Sequence, residues 1–134
     1  MKIDTPVSLL HGFKRPLVVH STAEALEEGR LVEASDVAEE VGIPHRVLLT
    51  QNVWESVVSP QTPTKDVVAE IEDRLFEVLW SYRKESLRRR ADGLTFLVLV
   101  GRSREIARVK AIPGTDAEGE EVLVMALPDE ESFE

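Results

Sequence analysis

Between Thr64 and Leu127 the spacing of apolar residues switches once, from helical to extended. That switch limits the chain to folds in which a long helix is buried against a sheet. Val68, Ile71, Leu75, Val78, Leu79 and Tyr82 recur three and four apart and give one broad apolar face, widened on its flank by Phe76 and Trp80. Thr64 is the candidate cap of this helix, which is expected to run to about Arg90. Arg88, Arg89 and Arg90 fall where the exposed carbonyls of a last turn favour cations, and the Asp92 and Gly93 pair marks the exit. Beyond it, Leu94–Val100 is apolar at nearly every position, Ile106–Ile112 alternates, and Val122–Leu127 is a third extended run. Pro113 and Gly114 form a turn before the last run, and Pro128 stops it.

Neither the helix nor the strands can bury an apolar face alone. The chain of 134 residues is therefore expected to form one α+β domain over 1–134, with the long central helix and short helices packed on a small, mainly antiparallel sheet of about three strands. Leu94–Val100, apolar at nearly every position, is the candidate for the middle of that sheet or for a strand covered on both sides. An acidic tail is expected to fray from about 129.

The first half reads as shorter pieces. Leu17–His20 suits a small strand, and Ser21 or Thr22 can cap a helix that Gly29 ends. Ser35 is the candidate cap of a second helix stopped by Gly42 and Pro44. Val47, Leu48 and Leu49 fit strand or helix equally, and Thr50 caps a further helix containing Val53, Trp54, Val57 and Val58. The stretch from Ser59 to Thr64 is linker-like but too short to separate domains.

Charge narrows the classes of function. The net formal charge of −9 lies in two blocks. Glu24 to Glu40 holds seven carboxylates against Arg30 alone, and Asp116 to Glu134 holds eight with no base. Lys65 to Lys110 carries eleven bases against eight acids. Acidic blocks repel phosphate and attract basic surfaces, which favours a protein partner over free nucleic acid. The candidate protein-binding residues are Glu24, Glu27, Glu28, Asp36, Glu39 and Glu40; a possible basic contact comprises Tyr82, Arg83, Arg88, Arg89 and Arg90. Imitation of a nucleic-acid backbone by ordered carboxylates is the alternative, and direct nucleic-acid binding through the basic segment, with Arg102, Arg104, Arg108 and Lys110, is disfavoured.

Nothing in the spacing suggests catalysis. Cysteine is absent, which removes disulfides and thiolate chemistry and fits a reducing cytoplasm. His11, His20 and His45 share no ligand spacing, no glycine-rich phosphate cradle is present, and Ser86 and Ser103 have no placed base. A metal-dependent or hydrolytic enzyme is therefore the weaker reading, and no cofactor or metal is expected. No run approaches the roughly eighteen apolar residues of a membrane span, so a membrane partner is not expected either. Abundant charge with scarce Asn and Gln is compatible with a thermophilic host. A homodimer is expected if Val122–Leu127 forms a free sheet edge while Arg104, Arg108 and Lys110 guard the other.

The run from Ser21 to Ser35 (STAEALEEGRLVEAS), with Gly42 and Pro44, resembles the start of a family of small uncharacterised bacterial proteins encoded mainly on plasmids, phages and other mobile elements. The resemblance continues through Leu49, Thr50, Val53 and Trp54, then Arg74 to Trp80, and ends over Val122–Asp129. Glu28 and Glu33 stand where the family commonly has aspartate. The family has no established activity, so the resemblance implies no catalytic residue. It implies an accessory or inhibitory role toward host machinery, and the acidic blocks point to a host protein with a basic surface as the partner.

Overall fold

The computed structural model describes residues 17–19, 22–60, 65–91, 93–101, 104–116 and 118–130. His11, His20, Ser21, Thr64, Asp92, Arg102 and Ser103, all singled out above, lie outside them. In chain order the elements are β1 (Leu17–Val19), α1 (Thr22–Glu27), β2 (Leu31–Glu33), α2 (Ser35–Glu40), β3 (Arg46–Thr50), α3 (Gln51–Val53), a π-helical turn (Trp54–Val58), α4 (Val67–Arg89), β4 (Leu94–Val100), β5 (Glu105–Asp116) and β6 (Glu121–Ala126).

The antiparallel meander expected of the last three strands is present as β4-β5-β6, but its second turn is not at Pro113 and Gly114, which lie inside β5 opposite Leu123 and Val122, and the meander is only part of the sheet. The sheet is mixed and five strands wide, in the order β1-β5-β6-β3-β2, with β4 also paired to β5. β4 and β1 take successive stretches of one edge of β5: β4 pairs from Val100↔Glu105 to Leu94↔Ala111, and β1 pairs in parallel from Leu17↔Gly114 to Val19↔Asp116. On the other side of β6, β3 adds in parallel from Arg46↔Val122 to Leu49↔Met125, and β2 closes the far edge antiparallel to β3. This corrects the expected sheet of about three mainly antiparallel strands. Two consequences follow. β6 is an interior strand, so it offers no edge for a dimer, and β5, which carries Arg108 and Lys110, is interior too. β4, expected in the middle, is an edge strand whose residues alternate buried and exposed.

The physical reason is that β3 is buried at four of five positions, because helices cover both faces of the sheet there. Its side chains divide between two cores. Val47 and Leu49 join Leu123, Met125, Val109, Phe96 and Val98 beneath α2 and α4, while Leu48 joins Val122, Val124 and Leu31 beneath Ala25 of α1. α1 and α2 therefore lie on opposite faces of the sheet. Gly29 and Gly42 end them in the left-handed region, at φ 81° and 88°, where a side chain would be strained.

α4 buries Leu75, Val78, Leu79 and Tyr82, with Ile71 packed against them. Val68, expected on that face, is 67% exposed, because it lies in the first turn beyond the rim of the sheet core. Asp66 caps the helix, its carboxylate accepting from Ala69 N at 3.1 Å. Thr50 caps α3 as expected, with Oγ1 accepting from Val53 N at 3.2 Å. Ser35 does not cap α2. The N-cap position belongs to Ala34, and the Ser35 hydroxyl instead donates to Glu33 Oε2 and accepts from Val47 N, stitching β2 to β3.

Candidate functional site

The acidic residues singled out from the sequence are set around the short edge strand β2. Ala25, fully buried on Leu31, Leu48, Val122 and Val124, anchors α1 and turns Glu24, Glu27 and Glu28 to solvent. Ala38, fully buried on the opposite face of the sheet, does the same for Asp36, Glu39 and Glu40 of α2. The six carboxylates thus form two triads that straddle one edge and do not share a face. Of these six carboxylates, only Glu28 has an ion-pair partner among the described residues, Arg30 at 2.8 Å.

Between the triads lies a network that sequence reasoning missed. Arg46, at the start of β3, holds Glu33 with two hydrogen bonds of 2.8 Å, Nε to Oε2 and Nη2 to Oε1, and reaches Asp116 Oδ2 with Nη1 at 3.2 Å. Asp116 is almost completely buried, and its Oδ1 accepts from the backbone N–H groups of Glu118 and Glu120 at 3.0 and 2.9 Å. The network therefore joins β2, β3 and the β5–β6 turn. Arg46 holds the Glu33 carboxyl below the usual carboxylate range, against a smaller opposing effect of burial, and Arg46 itself is shifted upward by Glu33 and Asp116. The only cue in the sequence is a lone arginine before an apolar run, which has many other meanings.

The five candidates for a basic contact do not come together. Tyr82 is 2% exposed, its ring edge-on to Phe96 with centroids 5.7 Å apart, so it is a core residue and not a surface anchor. Arg88 and Arg89 are both hydrogen-bonded to Glu85, whose carboxyl they hold below its usual range. Arg83 and Arg90 instead line an open cleft of about 290 Å³ with Ile43, Pro44, His45 and Ser86. His45 Nδ1 lies 3.3 Å from Glu121 Oε1. Among the described residues no group of three His, Asp or Glu side chains is placed to hold a metal ion. No described helix is long and apolar enough to cross a membrane.

Glu130, read from the sequence as part of a solvated acidic tail, is a clasp. Its Oε1 accepts from Thr50 Oγ1 and Leu127 N, both at 2.7 Å, and its Oε2 from Asn52 Nδ2 at 3.2 Å. Lys110 Nζ donates to the carbonyls of Pro128 and Glu130 from the other side.

No family model matches the chain, and it matches no curated protein and no solved structure.

Proposed function

We propose that the chain is a noncatalytic protein-binding module that meets a basic protein surface through the acidic rim around β2. The observation that supports this reading is the contrast within the rim: Glu33 is neutralised by Arg46, whereas five of the six outward carboxylates have no ion pair among the described residues. Unpaired, exposed carboxylates of one sign contribute little to folding and repel one another. They do create a field that speeds encounter with a complementary surface. An accessory or inhibitory role toward host machinery, in the cytoplasm, accords with the resemblance noted above.

The test is kinetic. Affinity capture from host lysate supplies the partner, and Glu24, Glu27 and Glu28, or Asp36, Glu39 and Glu40, are reversed to Lys as separate triads. Each reversal is expected to slow association about tenfold or more at low ionic strength and less at 0.5 M salt. A saturable partner whose association rate is unchanged by both reversals removes the acidic-rim reading.

A further inference from the structure

α4 carries a second seam of side chains, on the side away from the one it buries. Ala69, Asp73, Phe76, Trp80, Arg83 and Leu87 follow one another at spacings of four, three, four, three and four, which keeps them on a single stripe of the helix. Phe76, Trp80 and Leu87 are 43%, 40% and 59% exposed, and the two aromatic rings stack at 6.3 Å between centroids. Aromatic side chains grouped in this way are unusual on a solvated helix face. Asp73 and Arg83 have no ion pair among the described residues, whereas Glu70 and Arg74, and Glu85 with Arg88 and Arg89, are paired within the helix.

The stripe reads as its own complement when reversed. In an antiparallel pair of α4 helices centred on position 78, Phe76 lies opposite Trp80 of a second copy, Asp73 opposite Arg83, and Ala69 opposite Leu87. Glu72 lies opposite Lys84, whose ammonium in the single chain rests 5.9 Å from the Trp80 ring centroid. A two-fold axis repeats every one of these pairings. We infer that α4 is a homodimerisation helix, and that the partner for its solvent seam is a second copy of this chain in antiparallel register. The seam from Ala69 to Leu87 is about 27 Å long at 1.5 Å per residue, comparable to the contacts of packed helix pairs. This surface is separate from the acidic rim at the β2 edge, so the dimer stands or falls independently of the proposed function.

The experiment is sedimentation equilibrium from micromolar to several hundred micromolar, at low and moderate salt, with helix content followed by circular dichroism. The parent is expected to dimerise. Asp73→Arg alone sets arginine against arginine, and Arg83→Asp alone sets aspartate against aspartate; each is expected to weaken dimerisation at least tenfold. The double variant Asp73→Arg, Arg83→Asp restores opposite charges in exchanged positions and is expected to recover parent affinity within about threefold. Trp80→Ala is expected to abolish the dimer with the fold intact. A parent of 15 kDa at every concentration overturns the inference and leaves the seam to a different protein. So does a dimer that neither single variant nor Trp80→Ala weakens.

Discussion

At the scale of single residues, the Glu33–Arg46–Asp116 network shows how a few side chains can fix elements that the chain itself leaves far apart. Asp116 is the member whose loss is most costly, because it is buried and satisfies two backbone donors as well as Arg46. Asp116→Ala is expected to destabilise the fold by about 2–4 kcal/mol in chemical denaturation, since it removes the acceptor shared by Arg46 and two part-buried backbone donors. Glu33 gives a pH dependence of definite sign. Its carboxyl titrates lower in the folded chain than in the unfolded one, so its contribution is complete above the unfolded value of about 4.3 and is lost as pH falls through the folded value. The Glu33 side chain is 37% exposed, and solvent screening holds this contribution to about 0.5–1 kcal/mol. Urea titrations should therefore find the parent more stable than Glu33→Gln by about that amount at pH 6.5, with the gap narrowing as pH falls below the usual carboxylate range.

At the scale of elements, α4 has two faces with different tasks. Leu79 is fully buried and Val68 is not, so Leu79→Ala is expected to cost about 2–5 kcal/mol through the cavity it opens, while Val68→Ala stays within about 0.5 kcal/mol of the parent. Equal effects in a denaturant titration would contradict the buried face described for this helix. The turn after β6 is fastened by Glu130 to the cap of α3. Glu130→Ala is expected to cost about 1–3 kcal/mol and to raise hydrogen exchange at Leu127 N and Val53 N, because Thr50 loses the acceptor that orients its hydroxyl.

Across the whole molecule, the two sides of the sheet carry different surfaces. At β2 the edge is three residues long and bordered by seven carboxylates with Glu33 included, a charge density that discourages pairing with another strand. At the other side, α4 lies over β4 and presents its aromatic seam to solvent. Each surface thus invites a different kind of association, one electrostatic and one apolar. The two predictions attached to them respond differently to salt: rising ionic strength weakens the acidic rim's encounter with a basic partner, whereas in the dimer it screens the Asp73–Arg83 and Glu72–Lys84 pairs and leaves the Phe76–Trp80 contact intact.

The sequence by itself determined α4, the β4-β5-β6 meander, the glycine stops of α1 and α2 and the Thr50 cap, because each leaves a signal within a few residues: a period of 3.6 or 2, or a capping side chain beside its helix. Three things were decided only by the tertiary structure. The parallel pairings of β1 with β5 and β3 with β6 join segments whose connections span much of the chain, and strands of three to five residues are too short to show an alternation that names a partner. The Arg46–Asp116 contact closes a separation of 70 residues, for which no local pattern exists. The outward turn of Phe76 and Trp80 depended on which arc of α4 the sheet covers: Leu75, Val78, Leu79 and Tyr82 take that arc, and the two aromatic side chains fall outside it. The apolar spacing of those two side chains is the same whether a sheet or solvent lies beyond them.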